Sequence, residues 1–123
     1  MTAQTAITAA INAKFTTPPV LSLKQAKLAA KDYVVLFVSR RYVGKRRGSG
    51  EVSIPGGRVI VRSCCTTEAN LDVFRARIAA ALEDQILADG VTGPFVFRSE
   101  EVETDVDDAL GMTWFVSDTT WIF

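Results

Sequence analysis

Six carboxylates crowd one short stretch of the chain: Glu100, Glu101, Glu103, Asp105, Asp107 and Asp108. Two chemistries use acids at such density, paired general acid–base catalysis and the caging of a hard cation. A calcium loop of the EF-hand type beginning at Asp105 requires Asp or Asn at position 109 and Gly at 110, where the chain has Ala109 and Leu110. The cation pattern therefore fails, leaving a solvated acidic connection or an acidic docking surface. The chain has no histidine, which removes imidazole acid–base chemistry, Ser–His hydrolysis and histidine metal sites. The only cysteines, Cys64 and Cys65, are adjacent. A bridge between neighbours is strained, and in a strand the two side chains point to opposite faces, which excludes a shared metal. Both read as free, buried or half-buried thiols, in keeping with a reducing compartment.

Gly44-Lys45 has the look of a phosphate loop, but that motif needs Gly five residues earlier and Ser or Thr after the Lys. The chain has Ser39 and Arg46 at those places. A denser feature is basic: Arg40, Arg41, Lys45, Arg46 and Arg47 put five of the 14 basic residues into one short run. Three readings fit it: a solvated hairpin tip, a protein-docking loop or a nucleic-acid contact. Tyr42 alone offers a stacking platform for a base, so nucleic acid is the least supported. The expectation is a protein that is not an enzyme, with no catalytic residue, no metal ligand and no cofactor.

The elements that must position these residues follow from composition and periodicity. At 123 residues the chain suits one domain over residues 1–123. Apolar residues make up 48% and charged residues 23%, near the globular average, so bulk disorder is not expected. Basic and acidic residues number 14 each, which disfavours general duplex affinity, and no basic amphipathic helix suited to a membrane surface is expected. The densest apolar run, Tyr33 to Val38, is far shorter than the ~20 residues of a spanning helix. The first eleven residues lack the basic start and apolar stretch of a secretory signal, and the expected site of folding is a cytoplasm.

Ile7, Ala10, Ile11 and Phe15 fall at helical spacing and predict a helix over 3–14, stopped by Pro18 and Pro19. Ser22 followed by Gln25 resembles a capping box and predicts a short helix over 23–30. Residues 33–39 are β-branched and aromatic with both faces apolar, the pattern of a central strand covered on two sides. The Gly-punctuated segment 44–50 predicts a loop. Val52 and Ile54, the Pro55-Gly56-Gly57 turn and residues 58–65 predict a hairpin, with Val59 and Val61 facing the core. Thr66 or Thr67 caps a long helix with the stripe Leu71, Phe74, Ile78, Leu82 and Ile86, ending near Ala88 with Gly90 as terminator. Phe95 and Phe97 mark a short strand with both rings on one face, 100–108 an acidic connection, and 113–123 a last strand or hairpin. The expected fold is α+β: an antiparallel-rich mixed sheet of four to five strands, with a long helix and one or two shorter helices packed on it.

The stretches Ser39-Arg-Arg-Tyr-Val-Gly44 and Ser49-Gly-Glu-Val-Ser-Ile-Pro-Gly-Gly-Arg58 resemble the tail terminator proteins of long-tailed phages of actinobacteria, the lambda-type terminator family. Ala80-Ala-Leu-Glu83, Gly93-Pro-Phe95 and the aromatic end around Trp114-Phe115 and Trp121-Ile-Phe123 are similar as well, so the likeness covers residues 33–123. The resemblance implies a virion protein of the head–tail neck, assembled in the host cytoplasm. Its subunits close into a ring, commonly a hexamer, that caps the tail tube, ends its polymerisation and meets the head-side connector. Double-stranded DNA only passes through the lumen, no membrane is involved, and the family has no catalytic residues to carry over. The alternatives are another neck protein, of head-closure or tail-completion type, or a small nucleic-acid-binding module. The expected interface residues are Arg40, Arg41, Lys45, Arg46, Arg47, Glu100, Glu101, Glu103, Asp105, Trp121 and Phe123. The apolar carboxyl end requires a sheet or a neighbouring subunit to cover it.

Overall fold

The computed structural model describes residues 2–27, 29, 31–40, 57–90, 92–107 and 111–123. Three helices, α1 (Ala3–Asn12), α2 (Leu23–Ala26) and α3 (Glu68–Leu82), combine with four strands, β1 (Tyr33–Arg40), β2 (Gly57–Cys65), β3 (Val96–Asp107) and β4 (Met112–Ile122). The strands form one antiparallel sheet in the order β1-β2-β4-β3, and the fold is α+β as expected.

Each helix starts at a hydroxyl that accepts an otherwise unpaired backbone N–H. Thr2 receives Thr5 N–H at 3.1 Å, Ser22 and Gln25 complete the expected capping box, and Thr67 receives Asn70 N–H at 3.1 Å. Asp32, just before β1, binds across to the start of α3. Its carboxylate accepts from Thr66 N–H at 2.9 Å, Thr66 Oγ1 at 3.1 Å and Asn70 Nδ2 at 2.9 Å.

The main core lies between the sheet and helices α1 and α3. Ile7 and Ile11 of α1, Ile78 and Leu82 of α3, and Val34, Val59 and Val61 of the sheet are closed off from water, joined by Phe95 and Trp121. Val59 and Val61 face this core as the alternation predicts. The carboxyl end is covered by the chain itself. Trp121 is buried, Phe123 packs on Phe95 at 4.9 Å between ring centres, and Phe123 exchanges backbone hydrogen bonds with Gly57.

Four expectations require correction. β1 is an edge strand, not a central one; its apolar faces are buried, but its outer edge meets Pro19 and Leu21, which bond to Val34, instead of another strand. The long helix ends at Leu82, not near Ala88, because Asp84 takes a positive φ of 57° and its N–H turns to the Phe95 carbonyl. Ile86, drawn into the helical stripe by its spacing, is consequently exposed, while Leu87 turns inward. Phe95 and Phe97 share the helix side as expected, Phe95 buried just before β3 and Phe97 more exposed, against Trp121. Residues 100–107 form most of β3 and not a connection. The last segment is one strand, β4, inserted between β2 and β3. The expected 44–50 loop, Val52, Ile54 and the Pro55-Gly56 part of the turn lie outside the described residues; the expected return strand is β2, which pairs with β1 on one side and β4 on the other.

The return from α3 to β3 is tight. Gly93 has φ +119°, and a Cβ there would overlap the carbonyl oxygen of Gln85, while Gly90, at φ +76°, has open space around it. Gly90→Ala is expected to cost about 1–2 kcal/mol, the penalty of a left-handed backbone alone. Gly93→Ala adds a steric clash with backbone and should destabilise clearly more in urea titrations; equal losses would show that the turn relaxes freely.

Candidate interaction surface at the sheet edge

Side chains opposite one another in an antiparallel ladder share a face, so the registers sort the sheet into two surfaces. One faces α1 and α3. The other carries Tyr33, Cys64, Trp114, Val116 and Met112, a second apolar cluster built from strand residues. Tyr33 and Trp114 meet edge to face at 5.4 Å. Beside them Arg62 forms a two-pronged pair with Asp118, at 2.9 and 3.0 Å, and lies 5.5 Å from the Phe37 ring centre. The Asp118 hydrogen bonds hold the Arg62 pKa above its ordinary value despite partial burial. A half-exposed pair of this kind contributes about 0.2–1 kcal/mol and chiefly fixes the register of β2 on β4.

The acidic residues divide by the same alternation. Glu100 lies on the helix side, where its carboxylate accepts from both Arg75 nitrogens that face it and from Ser117 Oγ at 3.1 Å; Arg75 also reaches Asp72 at 3.1 Å. Glu100 thus ties β3 to α3 and β4. Glu101, Glu103 and Asp105 point to the opposite face and are exposed. Among the described residues no hydrogen bond or ion pair engages their side chains. Between them, Val102 and Val106 are 58% and 60% exposed on the helix side of the strand, beyond the reach of α3.

Of the expected interface residues, Glu101, Glu103 and Asp105 therefore come together along the edge strand β3, which pairs only with β4 among the described residues, while Glu100 is engaged within the chain. Trp121 is buried in the chain's own core, its indole N–H donating to Thr119 Oγ1 at 3.0 Å, and Phe123 is half-buried. Arg40 closes β1 opposite Gly57. Arg41, Lys45, Arg46 and Arg47 lie outside the described residues. The Arg62–Asp118 and Arg75–Glu100 pairs were not foreseen, since each joins residues that only the sheet topology brings together.

A groove of about 510 Å³ opens between the start of α3 and the segment after α1, walled by Phe15, Pro18, Pro19 and Phe74 with Arg77 above Phe15 at 5.2 Å. Its one carboxylate, Asp32, is committed to Thr66 and Asn70.

Both thiols are buried, and burial raises their pKa, that of Cys65 to about 12 with Asp32 adding to the effect. Burial also raises Tyr33, helped by its hydrogen bond with Cys64. Thiols held protonated in this way are poor nucleophiles and poor metal ligands at neutral pH. Above about 8.5 the unfolded chain releases a Cys65 proton that the folded chain keeps. Stability associated with Cys65 is thus complete below that pH and declines as pH rises toward 12. Urea titrations between pH 8 and 11 should show a declining stability whose slope is shallower in Cys65→Ala; identical slopes would remove Cys65 from this effect.

Compared with models of known protein families the chain matches none, and no curated protein matches it in sequence.

Proposed function

We propose that the chain is a structural virion protein of the tail-terminator kind. Its copies close head-to-tail into a ring that caps the phage tail tube, stops its growth and joins it to the head-side connector. The observation that carries this reading is the separation of charge across the sheet. β1, at one edge, ends at Arg40 and leads in sequence into Arg41, Lys45, Arg46 and Arg47, whereas β3, at the other edge, bears Glu101, Glu103 and Asp105. A neutral chain with complementary charge at opposite edges favours a contact between unlike surfaces of successive copies. Such a contact forms a ring when its rotation closes, and a filament when it does not. The likeness of residues 39–58, 80–83 and 93–95 to tail terminators supports the closed form and supplies the tube and connector as partners.

The lumen of such a ring must let DNA slide, and a neutral chain suits passage without grip. If Arg40, Arg41, Lys45, Arg46 and Arg47 all met phosphate, log affinity for duplex DNA would fall with log salt at a slope of about −4.5. The expected result is instead negligible duplex binding at physiological salt. The principal test mixes the protein with its tail-tube protein and follows tube length and end structure in negative stain, with light scattering over a wide concentration range. Capped tubes of uniform length and a ring-sized species are expected. A strict monomer at high concentration that leaves tubes growing would overturn the reading.

A further inference from the structure

We propose that the outer edge of β3 is the accepting half of the contact between copies, and that its occupant is the basic segment 40–47 of the next copy. The inference rests on the ring reading and names the surface and the residues through which the ring would form.

β3 is 12 residues long, and among the described residues β4 is its only sheet neighbour. An edge of this length is a template for further pairing unless it is blunted by proline, a bulge, charge or shortness, and charge of one sign still leaves it open to a partner of the other. From Ser99 onward β3 contains neither proline nor lysine, and it leaves Val102 and Val106 more than half exposed. Its face away from the helices holds Glu101, Glu103 and Asp105 without partners among the described residues, although Glu100, one residue away, is fully engaged by Arg75 and Ser117. Apart from the field of Arg62 on Glu103, the negative charge at this edge has no hydrogen-bond or ion-pair partner within the described part of the fold.

Those charges select the occupant. A second β3 laid against the first would bring acids close to acids along the strand, and like charges across a ladder are destabilising. Nucleic acid is repelled for the same reason. A basic segment fits, and the densest in the chain is Arg40, Arg41, Lys45, Arg46 and Arg47, which includes Tyr42 and Val43 as apolar residues available to Val102 and Val106. Since β1, which leads in sequence into that segment, lies at the opposite edge of the sheet, each copy would donate from one side and accept on the other. The contact is therefore head-to-tail and extends to every neighbour by repetition.

The test exchanges the charges. One full-length chain carries Glu101→Lys, Glu103→Lys and Asp105→Lys; a second carries Arg41→Glu, Lys45→Glu and Arg47→Glu. Circular dichroism melting establishes that each is folded, and sedimentation velocity reads association. Each variant alone places like charges at the contact, and its self-association should weaken by roughly tenfold or more. Mixed in equal amounts, the two complement each other at every contact and should regain wild-type assembly as an alternating ring. Should either variant fail to fold, Glu101→Gln, Glu103→Gln and Asp105→Asn keeps side-chain size; it should weaken association and abolish the salt sensitivity expected of the wild type. A wild type that assembles while the β3 variants assemble equally well overturns this contact and leaves the ring standing. Folded variants whose mixture stays dissociated overturn it as well. A wild type that never assembles overturns both.

Discussion

The pairing of β2 with β4 is the constraint on which the rest depends. The two strands are joined across a separation of 56 residues at the Arg62–Asp118 contact, so the sheet cannot close until the carboxyl end of the chain arrives. Once β4 occupies that place, every other position follows. β1 stays on the free side of β2, β3 is displaced to the far side of β4, and Trp121 is carried under α3. A carboxyl-terminal strand in the middle of a sheet also explains why Trp121 and Phe123 do not fray. The backbone of Trp121 is held on both sides, at Val59 and Phe97, and that of Phe123 by Gly57.

Covering only part of that sheet with helices divides its chemistry. Over β1 and β2 the helix-side face is aliphatic and tightly closed. Toward β3 it turns polar, with Ser117 and Thr119 buried and the Arg75–Glu100 pair spanning from α3. Buried polar groups are tolerated where they are matched, and here Ser117 finds Glu100 while Thr119 receives the indole of Trp121. The helix thus anchors β3 at Glu100 and leaves the remainder of the strand projecting past it. The exposed valines and acids further along are what remains when a 12-residue strand is paired, among the described residues, on one edge and covered over only part of its length.

Much of this was legible in the sequence, for identifiable reasons. Short-range signals held: the Ser22–Gln25 capping box, the Thr67 cap, and the inward alternation of Val59 and Val61 all appear as expected. What failed was whatever depended on partners distant in sequence. Two apolar faces made β1 resemble a central strand, because the sequence cannot show that the segment at Pro19–Leu21 would occupy its edge. The helical stripe continued to Ile86, because nothing local announces that Asp84 will bond to the Phe95 carbonyl. Its charge density makes the acidic run resemble a connection. Yet Glu101-Val-Glu-Thr-Asp-Val-Asp107 alternates with a period of two, the signature of a strand with one charged face, and that signal outweighs charge density. The surface proposed for assembly was thus written in the sequence as residue types but not as geometry. Only the strand order reveals that the acids of β3 and the end of β1, which leads in sequence into the basic run, belong to opposite edges.

That geometry bears on how weak contacts would suffice for the proposed assembly. Exposed ion pairs contribute about 0.2–1 kcal/mol each, too little for a few of them to hold two subunits together tightly. Their larger effect is on orientation and encounter, where opposite charges favour one docking register and like charges reject the isologous one. In an open chain of copies each junction would dissociate readily. Closing the ring changes the accounting, because the last contact forms within an already assembled body and loses far less translational freedom. A ring of weak junctions therefore tolerates isolated subunits during synthesis and becomes persistent only when complete. An acidic edge suits this arrangement better than a purely apolar one. An uncharged 12-residue edge would accept any exposed strand, including another β3, whereas in the proposed contact Glu101, Glu103 and Asp105 would confine it to basic partners.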